Sequence, residues 1–129
     1  MIVDASALLA ILLREADGDR YNRALRDALE DISISPINFV EAGIRADKLG
    51  PDVSQALDEI MRTVDIELAP ISQEQVNLAR EAYQRYGKGN HPARLNLGDC
   101  FAYALAKARG EPLLFKGDDF PQTDVEAAI

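Results

Sequence analysis

Short β-like runs alternate with helical stretches along this chain, and that alternation limits the fold more than any other feature. The runs are Ile2-Val3, Ile32 to Ser35, Ile66 to Leu68 and Pro112 to Phe115, with Val125 opening a possible fifth. Strands this short are unstable unless neighbours pair with them. The stretches between them are long enough for the crossover helices that parallel strands require. The expectation is an α/β fold: a central parallel sheet of four to five strands with helices on both faces, a three-layer α/β/α sandwich. The chain has 129 residues, enough for one domain with its own core. It carries no internal repeat, linker or low-complexity segment.

The helices between the runs read as follows. Ser6 to Arg14 is apolar almost all round and is predicted to be buried. Asp4 stands before it where a secretory signal would be basic, and Arg14-Glu15 follow where a cleavage site would be. After a break near Gly18, a second helix reaches about Leu29, with Tyr21, Leu25, Ala28 and Leu29 at helical spacing. Pro36 suits the first turn of a third helix, which runs to Leu49 and stops at Gly50-Pro51. Asp52 is a candidate cap for a fourth, with Val53, Leu57, Ile60, Met61 and Val64 inward. Ser72, with Gln75 three residues on, opens a fifth that reaches Tyr86. Gly87 to Pro92 is a loop. A nearly all-apolar helix then runs from Asp99 to about Ala108, ending at Gly110.

Four acidic positions stand at places this topology brings to one rim. In an open parallel sheet the ligand crevice lies beyond the carboxyl ends of the strands. Asp4 follows the first strand, and Asp118 and Asp119 follow the fourth. Asp99 opens a helix whose start faces the same rim. Glu41 falls on a helical stripe with Ile37, Val40 and Ile44, so it is expected on a buried face. Each has a local alternative. Asp4 suits a helix cap, Asp99 suits a helix start, and Asp118/Asp119 suit a turn. Glu41 has Arg45 one turn away as a candidate partner. Ser6 and Asn38 are supporting candidates: Ser6 to hold water at the site, Asn38 to orient a carboxylate or touch substrate. Clustered acids without cationic partners raise one another's pKa, and a hard divalent cation with oxygen ligands resolves that conflict.

Other chemistries find less support. His91 is the only histidine and Cys100 the only cysteine, so neither a zinc cluster nor an internal disulfide is available. One unpaired cysteine fits a reducing cytoplasm. There is no GxxxxGK[ST] or GxGxxG loop. No stretch approaches the roughly 20 apolar residues of a membrane span. The net charge of −8 counts against nonspecific nucleic-acid binding and favours a basic protein partner. Bound cations offset that charge locally, and Arg80, Arg85, Lys88, Arg94 and Lys116 are available to meet phosphates.

Taken together, the segments resemble the PIN-domain ribonucleases, in particular the VapC toxins of bacterial toxin–antitoxin pairs. The likeness runs nearly end to end. It is carried by Met1-Ile2-Val3-Asp4-Ala5-Ser6-Ala7-Leu8, by Ser35-Pro36-Ile37-Asn38-Phe39-Val40-Glu41, by Leu95-Asn96-Leu97-Gly98-Asp99-Cys100-Phe101-Ala102-Tyr103-Ala104, and by Leu113 to Phe120 with Thr123-Asp124. The resemblance implies a PIN-like sandwich in which Asp4, Glu41 and Asp99 are metal-site and catalytic carboxylates. Many relatives carry an acid where Gly117 stands, so Asp118 and Asp119 both remain candidates for the fourth. It further implies Mg2+ or Mn2+ as cofactor, RNA as substrate, a VapB-type antitoxin as partner and a homodimer, with no membrane association. The implied reaction is hydrolysis of RNA phosphodiesters leaving a 5′-phosphate and a 3′-hydroxyl. The alternative is a PIN-like module that binds RNA or protein without cutting. A receiver domain or an aspartyl phosphatase fits poorly: Asp4 is not paired, Ser6 stands where a phosphatase needs a second Asp, and Leu68-Ala69-Pro70 offers no acceptor.

Overall fold

The computed structural model describes residues 1–129. Strands β1 (Ile2–Val3), β2 (Ser33–Ile34), β3 (Glu67–Leu68) and β4 (Leu113–Leu114) form one sheet in the order β3-β2-β1-β4, with every pairing parallel. Helices α1 (Ala5–Leu12) and α2 (Gly18–Arg26) follow β1, α3 (Pro36–Leu49) and α4 (Pro51–Thr63) follow β2, and α5 (Gln73–Tyr86) and α6 (Leu97–Arg109) follow β3. A 3-10 turn, Phe120–Gln122, follows β4.

Successive strand residues face opposite sides of a sheet, and the core divides accordingly. Val3, Ile34 and Leu114 pack with α1 to α4, while Ile2 and Leu113 pack with α5 and α6. The result is the three-layer α/β/α sandwich, with four strands. The possible fifth strand reduces to a single parallel bridge between Leu113 and Ala127. β3 lies at an edge with both residues exposed. Its Glu67 meets Arg109 at 3.2 Å, and charged side chains of this kind discourage edge-to-edge pairing.

Several helix boundaries differ from the sequence expectation for identifiable reasons. α2 stops at Arg26, and Leu29 is wholly exposed, so the apolar spacing there continued past the helix. The break falls at residues 13–17, and Gly18 is the first residue of α2; a Cβ there would lie 2.6 Å from the Ala10 carbonyl oxygen. Pro51 starts α4 and leaves Asp52 in its first turn, so Asp52 does not cap it. α6 begins at Leu97, two residues before Asp99, because Asn96 is the cap. On α3 the buried face is Asn38, Ala42 and Ala46, whereas Val40 and Ile44 are about half exposed. Small residues let α3 approach its neighbours closely, and the larger stripe faces outward.

Candidate active site

The fold delivers four of the acids to the carboxyl rim of the sheet. Asp4 leaves β1 and is the N-cap of α1, its side chain accepting from the Ser6 backbone N–H. Glu41 lies on the second turn of α3. Asp99 occupies the third position of α6, inside a reciprocal cap: Asn96 accepts from the Asp99 N–H at 2.9 Å, and Asp99 accepts from the Asn96 N–H at 3.0 Å. Asp118 and Asp119 are exposed in the turn after β4, which follows Gly117 at φ +114°.

Asp4 is the buried centre of the group. Its Oδ2 accepts from the Ser6 N–H at 3.0 Å and the Ser6 hydroxyl at 2.5 Å, and its Oδ1 accepts from the Asn38 amide at 3.2 Å. Burial pushes the Asp4 carboxyl up, the bonds from Ser6 and the Ala5 N–H pull it back, and Asp119 adds to the rise. Glu41 is raised by burial and then by Asp4. Asp99 is pushed up to about 7, chiefly by burial, against the pull of the Asn96 N–H, with Asp4, Glu41 and Asp119 adding repulsion. None of the three forms an ion pair with a Lys or Arg. Arg45 therefore does not neutralise Glu41.

Asp119 adds to the rise of both Asp4 and Asp99, which associates it with the other acids. The acids do not close into a finished cage: no three His, Cys, Asp or Glu side chains converge as a metal cluster does. An open set of oxygens suits a cation that keeps much of its water, as Mg2+ does.

Three further contacts build the rim. Ser6 Oγ accepts from the Lys116 N–H at 3.0 Å, tying the exit of β4 to Asp4. The Lys116 ammonium is held by Glu15 and by Asp17 at 2.8 Å, which removes it from the phosphate-facing candidates. Arg85 lies 3.9 Å from Asp124. Arg80, Lys88 and Arg94 form no ion pair. Gly98 is the residue the sequence reading missed. A Cβ there would sit 2.5 Å from Glu41 Oε2, so only glycine lets that carboxylate lie against the start of α6. The signal was present in Asn96-Leu97-Gly98-Asp99: a capping pair encloses the small residue.

A family model described as PIN domain matches residues 1–126. The chain belongs to the PIN-domain family. Within that family it is 46% identical over 132 residues to "Ribonuclease VapC28" of Mycobacterium tuberculosis, covering 100% of this chain and 98% of that protein. It is 41% identical over 133 residues to "Ribonuclease VapC42" of the same species, covering 99% and 98%. Among solved structures, the crystal structure of M. tuberculosis VapC20, described as a sarcin-ricin loop cleaving toxin, matches with a TM-score of 0.78 over 96% of this chain and 95% of that one. At 16% identity that likeness speaks for the fold. This PIN domain is a VapC-type chain throughout its length. No helix in it is long and apolar enough to cross a membrane.

Proposed function

We propose that this VapC-type PIN domain is a divalent-metal-dependent endoribonuclease toxin that hydrolyses RNA phosphodiester bonds and is neutralised by a VapB-type antitoxin. One observation carries the metal-dependent reading: Asp4, Glu41 and Asp99 are all raised, chiefly by burial and partly by one another, and none of them forms an ion pair. The donor set is all oxygen, which fits Mg2+ or Mn2+ and not zinc. Asp4 and Asp99 would hold the ion, with Glu41 and Asp119 assisting. When bound, such an ion stabilises charge on the phosphate and makes water a better nucleophile near neutral pH.

The chain's own residues do the rest. A carboxylate offers about four lone-pair sites. Ser6 donates twice to Asp4 Oδ2 and Asn38 once to Oδ1, which leaves Oδ1 the less occupied oxygen. The Asn96 N–H holds Asp99 Oδ2, which steadies that carboxylate at the helix start. Burial, and then the neighbouring Asp4, raise the Glu41 carboxyl above its ordinary range, a rise that a bound cation would oppose. The unpaired Arg80, Lys88 and Arg94 are available to an RNA backbone.

The test is cleavage of defined RNAs by the purified protein with Mg2+, with Mn2+ and with chelator, beside Asp4→Asn. Cleavage that needs the ion, yields 5′-phosphate ends and falls at least ~100-fold in Asp4→Asn is expected. Full activity in chelator, or 2′,3′-cyclic phosphate ends, would refute it. RNA binding with no cleavage under any ion would favour the non-catalytic module. The acidic surface suits an antitoxin segment bearing Arg, and the assembly is proposed to be a homodimer. Complex formation insensitive to salt would remove the charge argument.

A further inference from the structure

Asn38 is fully buried on the inner face of α3. Its side-chain nitrogen donates to Asp4 Oδ1 at 3.2 Å and to the Gly98 carbonyl oxygen at 2.9 Å. Its own oxygen is buried with no partner. Chemistry fixes this orientation. The reverse flip would set the amide oxygen against two acceptors and leave both without a donor. Burying an amide is unfavourable unless its hydrogen bonds are made. The chain accepts that cost, including one unsatisfied oxygen, to join three elements at one point: the end of β1, the start of α3 and the start of α6.

We propose that Asn38 is the positioning residue of the site, its amide holding the Asp4 carboxylate and the α6 start carrying Asp99 in the mutual arrangement that a divalent cation requires. The inference rests on the metal-dependent reading above and extends it to a residue that touches neither ion nor RNA. Its burial excludes contact with a substrate as large as RNA. Two features make the assignment specific. The amide occupies one of the two lone pairs on Asp4 Oδ1, so it selects the direction left for a ligand bond. It also grips the backbone of Gly98, the residue against which Glu41 rests. One side chain therefore indexes Asp4, Glu41 and Asp99 to one another. Partners of this kind that orient ligands typically account for about 10–100-fold in metal affinity.

The test is Mn2+ binding to the whole chain by calorimetry, with no RNA present, at a temperature where circular dichroism shows each variant folded. Asn38→Leu, close in size and lacking the donor, is expected to bind Mn2+ about 10–100-fold more weakly than wild type. Asn38→Ser, small enough to be accommodated and still a donor, is expected to show a smaller loss. It keeps the test open if the Leu variant does not fold. RNA cleavage by either folded variant is expected to recover as Mn2+ is raised, because the defect lies in ion capture. Wild-type Mn2+ affinity in a folded variant, even one with a lowered melting temperature, would show a merely structural residue and overturn the proposal. Absence of Mn2+ binding in the wild type would instead overturn the metal-dependent reading, and this inference with it.

Discussion

Replacing Asp99 with Asn should stabilise the cation-free protein, and only above mildly acidic pH. The Asp99 carboxyl is pushed up to about 7 from an ordinary 3.8. At about 1.36 kcal/mol per pH unit, that gap corresponds to a ceiling of roughly 4 kcal/mol against the ionised folded form. Two effects reduce what the substitution recovers. Asp4 and Glu41 share the repulsion, so their protons redistribute when one charge is removed. A negative charge in the first turn of α6 is itself worth about 0.3–1 kcal/mol, and Asn lacks it. Asn does keep an oxygen for the Asn96 N–H, so the reciprocal cap survives. The expected net gain is about 1–3 kcal/mol near pH 8.

The sign follows from proton counting. Below the ordinary value both folded and unfolded chains hold the proton, and Asp99 contributes no penalty. Between about 4 and 7 the unfolded chain ionises first, so it binds fewer protons than the folded one and wild-type stability falls as pH rises. Above about 7 the penalty is complete. Urea unfolding followed by circular dichroism, in chelator at about pH 4.5 and about pH 8, measures both ends. The advantage of Asp99→Asn should be small at the lower pH, where the penalty has only begun, and full at the higher. Added Mn2+ should stabilise the wild type by mass action and leave the variant nearly unmoved. An equal difference at both pH values, or a less stable variant at about pH 8 in chelator, would refute the reasoning.

Gly98→Ala should fold with a stability change of about 1 kcal/mol or less, because the end of the Glu41 side chain can give way, yet lower RNA cleavage at least ~10-fold by displacing that carboxylate. A crystal structure of the variant with Glu41 unmoved would contradict this. Ser6→Ala removes the hydroxyl that joins Asp4 to the Lys116 N–H, and should cost about 1 kcal/mol in urea unfolding along with a clear loss of cleavage. The backbone half of the α1 cap remains, so α1 should persist by circular dichroism. Tyr103→Phe removes the 2.5 Å bond from the phenol to Asp124 Oδ1. That bond, with Lys107, holds the Asp124 carboxyl below its ordinary range. The stability it gives is present at neutral pH and lost as pH falls through the lowered value. The variant should be weaker by about 1 kcal/mol or less at pH 7, since Asp124 is partly exposed, and indistinguishable in strong acid.

The element order was legible because apolar periodicity survives in a single sequence. The rim location of Asp4 and Asp99 followed from the topology alone. Other features were not legible, for reasons that lie in particular residues. On α3 two stripes compete, and periodicity does not reveal that Ala42 and Ala46 face inward while Val40 and Ile44 do not. Close packing, and not hydrophobic size, decides that face. Asp118 and Asp119 are neighbours in a turn, so which one approaches Asp4 depends on backbone angles that begin with the left-handed Gly117. The start of α6 was misplaced because Asp99 looked sufficient as a helix opener, although the Asn96 and Asp99 spacing already spelled a cap. Asn38 is expected from the sequence to orient a carboxylate or touch substrate, and the fold supplies the rest: the carboxylate it reaches is Asp4, 34 positions away.

The cap of α1 has a practical corollary. Asp4 both caps a helix and belongs to the acid group, so an alanine scan would confuse a folding defect with a chemical one at this position. Asparagine keeps an acceptor for the Ser6 N–H, although it loses the charge and turns a donor toward the Asn38 amide. An inactive VapC-type chain intended to retain its shape for partner studies should therefore be built with Asn there, because Ala would fray the helix that begins at the same point.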